Sequence, residues 1–375
     1  MFGLKRFFSK KDIVSPVLFT VGKIDWLTFK PIVEAFIERS MPFRYWTMDR
    51  EDPGLQIKSE FMASRHIGSG AMGFARAAMC EAPLMIATVT NIGTKGFPLP
   101  RPAGVKCLAH VFHCVTDVAT YRKGSLDHYD AVLLGGEYMR EPIRRLEALR
   151  GLPAKECVPV GLPYLDELAA QVRLVSSSKD KGATTLLLAP SWGKKGFLAV
   201  YGYSFIRELA AADVAVIVRP HPHSLVYEKE LLAAMERDLG EMPNIRFDFD
   251  PNGSRSLSAA DVMISDCSGI RFDFAFIRNR PVITIEVPLC GLEEFEYGDI
   301  GFRGEEVLEK NLGPVIRAGE CSAGELGTRL LGMIKTMSEH TPGHFAALRD
   351  RHIPNFGCSG HAVAEWAIAK CAGSR

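Results

Sequence analysis

Ala215-Val216-Ile217-Val218-Arg219-Pro220-His221-Pro222-His223 is the stretch on which the reading of this chain turns. An apolar run of strand length, Val214 to Arg219, passes directly into a loop in which two prolines fix φ on either side of His221 and remove backbone donors. A strand with no polar alternation is buried on both faces, as in a parallel sheet. In such sheets the useful residues follow the carboxyl ends of the strands, where this imidazole stands.

Working outward, the same run-and-loop unit recurs in both directions. The first half reads as strands at Val17 to Val21, Arg44 to Thr47, Leu84 to Ala87, Lys106 to Phe112, Ala131 to Leu134 and Cys157 to Val160. Helices fit Trp26 to Arg39 and Pro142 to Leu149, where Ile143, Leu146 and Leu149 share one face. A polar stretch, Ser176 to Gly182, reads as a linker. Beyond it strands return at Thr185 to Ala189, Val214 to Arg219, Ile245 to Phe249, Val262 to Ser265 and Val282 to Glu286, with helices at Ser204 to Ala211 and Leu225 to Leu239. The class is therefore α/β, built from two doubly wound Rossmann-like domains. The expected boundaries are 1–178 for the first domain, 179–343 for the second, and 344–375 for a helical segment that packs back on the first.

Composition narrows the function. The chain has 375 residues, 45 Lys+Arg against 44 Asp+Glu, and 47% hydrophobic residues. That length predicts two domains, and a net charge of +1 supplies no field to hold nucleic acid. The nine cysteines are scattered singly without a C-x-x-C, which fits a reducing, cytoplasmic setting and argues against a zinc knuckle. No apolar run approaches the ~18–20 residues of a membrane span. Met1 to Lys11 mixes Phe2, Leu4, Phe7 and Phe8 with four cations, too short and too charged for a signal peptide, and suited to peripheral contact with an anionic membrane face.

Three constellations carry chemistry. Arg219 beside a stiffly held His221 suits a phosphate, because a guanidinium binds two oxygens and an imidazole donates or moves a proton near neutral pH. His221 and His223 lack an acidic or Cys partner at ligand spacing, so neither a metal nor a cofactor is expected. Ser265-Asp266-Cys267-Ser268-Gly269 lies between a strand and a helix carrying Phe272, Phe274 and Phe276; cap-type residues there present a helix N-terminus to a diphosphate. The spacing fails as a nucleophile elbow, and Cys267 has no local base. The third is His110-Val111-Phe112-His113-Cys114. On a strand the two imidazoles point to opposite faces, and His113, at the strand's end, is the catalytic candidate. If both sets of strand ends line one cleft, His113 looks across at His221. A literal G-x-G-x-x-G, Gly68 to Gly73, is discounted for dinucleotides: Ser64, Arg65 and His66 do not read as a buried strand, and the first downstream acid is Glu81.

Together the segments Pro190-Ser191-Trp192, Arg219-Pro220-His221-Pro222, Ser265 to Gly269 leading into Phe272-Asp273-Phe274, Pro281-Val282-Ile283 and Gly161 to Asp166 resemble the CDP-glycerol glycerophosphotransferase family, teichoic-acid polymerase-like proteins of GT-B architecture. The order agrees over about residues 105 to 290. The resemblance implies two facing Rossmann-like domains and transfer of a glycerol phosphate, or related polyol phosphate, from a CDP-activated donor to an acceptor hydroxyl, lipid-linked acceptors included, with release of CMP. It implies that His113 is the base, that His221 and Arg219 steady the donor phosphates, and that Ser191, Trp192, Ser265, Asp266, Ser268 and Gly269 bind the donor. Phe112 and Cys114 replace the family's Trp and Gly around His113, which marks a divergent branch. Two alternatives remain open: a nucleotide-sugar glycosyltransferase or epimerase of the same architecture, and a non-catalytic nucleotide-diphosphate-binding protein.

Overall fold

A computed structural model describes residues 15–175, 184–194, 196–212, 214–287, 292–337 and 343–373. Met1 to Lys11 and the linker reading at Ser176 to Gly182 fall outside them. The chain divides into two compact units, each discontinuous: Met1–Leu168 with Leu292–Glu305 and His352–Arg375, and Ala169–Gly291 with Glu306–Arg351. The expected boundaries were continuous in sequence; the units instead exchange Leu292–Glu305 and split the C-terminal segment at His352.

The first unit holds seven parallel strands, β1 (Val17–Thr20), β2 (Phe43–Thr47), β3 (Met62–His66), β4 (Glu81–Ala87), β5 (Gly104–Val111), β6 (Ala131–Leu134) and β7 (Glu156–Pro159), in the order β3-β2-β1-β4-β5-β6-β7. Every residue of β1, β2 and β6 is buried, the consequence of helices covering both faces of a parallel sheet. The core gathers Leu18, Ile86, Ala109 and Leu133 from the strands and Phe29, Ile32 and Phe36 from the helix Trp26–Glu38. The last helix, Ser359–Ala372, lies against that same helix. At the contact, a Cβ on Gly360 would stand 2.4 Å from the Pro31 carbonyl oxygen, so only glycine permits the approach. Asp166 fixes the helix entry by accepting the Gly357 and Ser359 amides at 2.6 and 2.7 Å.

The second unit holds β8 (Thr185–Ala189), β9 (Ala215–Val218), β10 (Ile245–Phe247), β11 (Val262–Ser265), β12 (Val282–Ile285) and β13 (Val315–Ile316), in the parallel order β10-β9-β8-β11-β12-β13. Its core is aliphatic at the strands, with Phe197, Phe205 and Met235 from the helices above them. In both sheets the winding reverses once, between β1 and β4 and between β8 and β11. At such a switch point neighbouring loops leave the sheet in opposite directions and open a crevice at the strands' carboxyl ends.

Two sequence readings are corrected here. Met62–His66 is a strand after all. It forms the sheet edge, so its residues alternate between buried and accessible and show no apolar run. The glycine-rich turn therefore does sit between a strand and a helix, Gly70–Ala78. Glu81, however, opens β4 at the amino end of the sheet, opposite the edge where a ribose would lie. The single helix expected over Leu225 to Leu239 is two, Ser224–Tyr227 and Lys229–Leu239.

Candidate functional site

At the switch point of the second unit, the loop after β8 and the turn after β11 are tied together by one carboxylate. Asp266 has no solvent exposure and accepts from the Ser191 amide at 2.9 Å, the Ser191 hydroxyl at 2.5 Å and the Phe197 amide at 3.2 Å. Ser265, equally buried, donates to the Ala189 carbonyl at 2.6 Å. Both side chains spend these hydrogen bonds inside the protein and tie the two loops together. Ser268 and Gly269 remain accessible at the start of the helix Ile270–Arg278, and no side chain caps that helix. Its Arg271 and Phe272 amides close the turn on the Ser268 and Gly269 carbonyls at 3.4 and 3.1 Å, and the positive end of the helix dipole stands at that turn. Cys267 has a thiol pKa pushed up chiefly by desolvation, which removes the thiolate a nucleophile needs.

Arg219 is already engaged. Its Nη1 donates to Asp248 at 2.7 Å and its Nη2 to the Pro251 carbonyl at 3.4 Å, and both side chains of the ion pair are only 11% exposed. Burial pulls the Asp248 pKa up, but the Ser256 hydroxyl, the Asp250 amide and Arg219 together hold it below the usual carboxylate range. The guanidinium thus anchors the loop after β10 to the end of β9.

His221 differs from the sequence reading in its protonation. The His223 amide donates to His221 Nδ1 at 3.1 Å, which leaves the ring's own proton on Nε2. Desolvation, with His223 alongside, lowers its pKa to about 4. At neutral pH its ring is uncharged, with Nε2 as the donor. Trp192, 43% exposed, stacks on Tyr227 at 5.3 Å and meets His223 at 4.8 Å with the planes tilted by 37°, so an aromatic cluster follows Ser191.

In the first unit His110 and His113 separate as strand alternation requires. His110 is fully buried among Phe112, Tyr121 and Tyr129, its Nε2 3.3 Å from the Tyr121 hydroxyl, and desolvation drives its pKa to about 3. His113 follows β5 with its ring accessible and parallel to Tyr121, the centroids 6.2 Å apart at 7°. Desolvation by the surrounding loops lowers its pKa, while Asp25 pulls the other way. Asp25 follows β1 at the switch point and accepts the Thr20 hydroxyl at 2.6 Å. Asp25 carries no sequence signal of this kind: it acts on a histidine that folding, not chain order, brings near it. Among the described residues no group of three or more His, Cys, Asp or Glu side chains is arranged to hold a metal.

Two parallel sheets of these strand orders with interleaved helices define a GT-B-type protein, and solved structures agree. The chain resembles the wall teichoic acid polymerase TagF, with a TM-score of 0.60 at 15% identity over 96% of this chain and 90% of that one. It is similar at the same level to the UDP-GlcNAc 2-epimerases of Methanocaldococcus jannaschii, TM-score 0.58 at 14% identity over 95% and 99%, and Neisseria meningitidis, TM-score 0.59 at 10% identity over 95% and 100%. At these identities the likeness shows the fold alone. No curated protein matches the sequence. Residues 112–290 match the family described as CDP-Glycerol:Poly(glycerophosphate) glycerophosphotransferase. The resemblance carried by the motifs is thereby borne out over these residues.

Proposed function

We propose that the protein moves a glycerol phosphate, or a closely related polyol phosphate, from a CDP-activated donor to an acceptor hydroxyl during synthesis of a cell-surface polymer. The observation that carries this reading is that the family match spans His113, His221 and the 265–269 turn together. The acceptor oxygen attacks the phosphorus that bears the polyol, the bond from that phosphorus to the bridging oxygen breaks, and CMP leaves with the bond's electron pair. The acceptor proton passes to His113, whose lowered pKa keeps it neutral and able to accept at pH 7. His221 Nε2–H and the positive dipole end of the helix Ile270–Arg278 stabilise phosphate charge, which is most of what phosphoryl transfer asks of a protein. Arg219 holds the loop after β10 in place through Asp248, so the phosphate role first read for it passes to His221, Ser268 and the start of the helix Ile270–Arg278. Trp192 offers a stacking surface to the donor.

The likeness to UDP-GlcNAc 2-epimerases supports a rival, a nucleotide-sugar enzyme on the same fold. Incubation with CDP-glycerol and, separately, with UDP-sugars decides between them: CMP release from the first supports the proposal, and UDP release alone overturns it. We read the work as taking place at the cytoplasmic membrane face, on an acceptor that is lipid-linked. No helix among the described residues is long and apolar enough to cross a membrane. Deleting Met1 to Lys11 should release the protein from anionic vesicles; unchanged sedimentation would reject that contact.

A further inference from the structure

Within the first unit, the loop that follows His113 is gripped by Leu292–Glu305, a segment distant in sequence. The Glu296 amide donates to the Tyr121 carbonyl at 2.8 Å, and Arg122 pairs with Phe295 as an isolated antiparallel bridge. The Glu296 carboxylate, with no solvent exposure, accepts from the Gly124 and Ser125 amides at 2.8 and 3.3 Å and from Arg150. Lys123 pairs with Asp299 at 2.5 Å. Closer to His113, the Gly304 amide donates to Asp117, and the Asp117 amide donates to Glu305 at 3.2 Å. A Cβ on Gly304 would fall 2.0 Å from the Tyr138 carbonyl oxygen, so this end of the segment admits only glycine. The element trapped by these contacts is Tyr121, 9% exposed, its ring parallel to that of His113 and packed on Phe112 at 5.6 Å.

We propose that Tyr121, clamped by Glu296 of the Leu292–Glu305 segment, is the positioning residue that sets the orientation of the His113 imidazole. The inference rests on the reading of His113 as base. An accessible histidine just past a strand end has free rotamers, and a base must hold one geometry to take a proton in the transition state. The parallel tyrosine face restricts the ring to one plane. The clamp explains why Tyr121 can do this from an irregular loop: buried polar contacts from outside the loop replace the regular structure it lacks.

Two readouts test it, one of which needs no turnover. Selective ¹³C labelling of histidine gives the His113 titration midpoint by NMR. Asp25, His110, Cys114 and Tyr121 are the titratable neighbours around that ring. Tyr121→Leu should move the midpoint upward toward the ordinary value as the ring gains solvent, and should lower kcat about 3–10-fold with donor KM unchanged. Tyr121→Phe, which keeps the ring face, should retain the low midpoint and most of the turnover. Glu296→Gln, judged alongside in case Tyr121→Leu fails to fold, should show the same upward shift to a smaller degree. A folded Tyr121→Leu, or Glu296→Gln in its place, with wild-type midpoint and wild-type kcat overturns the proposal. Full turnover in His113→Ala would instead overturn the base reading, while the NMR midpoint still reports whether Tyr121 orients the ring.

Discussion

His113 and His221 occupy the same kind of place, just beyond the carboxyl end of a buried parallel strand, and are prepared for opposite tasks. His221 has Nδ1 filled by a backbone amide, so its ring only donates. His113 lies parallel to the Tyr121 ring with centroids 6.2 Å apart and a carboxylate in range, and the residue is accessible. The difference teaches that residue type and strand position nominate a site, while the partner of each ring nitrogen assigns the role.

The comparison breaks most sharply at His113. His113→Ala should cut turnover about 10²–10⁴-fold with donor binding preserved, measured by CMP release and calorimetry. His221→Ala should cost roughly 10²-fold in kcat, and His221→Asn, which keeps an N–H donor, should recover part of it. If both His221 variants were equally dead, a donor role would be untenable.

Acid stability gives the next effect. His110 and His221 have folded pKa values of about 3 and about 4, below the ordinary histidine value, so the unfolded chain takes up their protons first. Stability from keeping them neutral is complete above the unfolded pKa near 6.5 and drains as pH falls toward the folded values. His110→Phe should remove about 2–3 kcal/mol of the loss between pH 7 and 4.5, read from denaturant midpoints. The lowered pKa of His113 predicts that it sets the acid limb of kcat/KM, with activity rising as pH climbs through a midpoint below the ordinary histidine value, and that His221→Asn leaves that limb in place. The smallest effect is Asp266→Asn, expected to lower stability by about 1–3 kcal/mol, because an amide cannot accept from three donors as a carboxylate does; a thermal melt checks it.

The strands most legible in sequence were those buried on both faces, such as Leu186 to Ala189 and Val216 to Val218, because burial there demands an unbroken apolar run. Met62–His66 escaped detection because an edge strand needs no such run. The pairing of Arg219 with Asp248 was hidden for another reason: a guanidinium following a strand suits a phosphate and a carboxylate alike, and the carboxylate arrives with the adjacent strand.

Local chemistry alone specified the parallel α/β class, the loops at strand ends and both imidazoles as candidates, since apolar runs, prolines and cap residues act on neighbours a few positions away. Tertiary structure alone decided that Ser265 and Asp266 bond to the loop after β8, that the His223 amide meets His221 Nδ1, and that Leu292–Glu305 belongs to the unit it is separated from in sequence. Hydrogen bonds and desolvation set those outcomes, and both depend on which distant groups fold against a side chain.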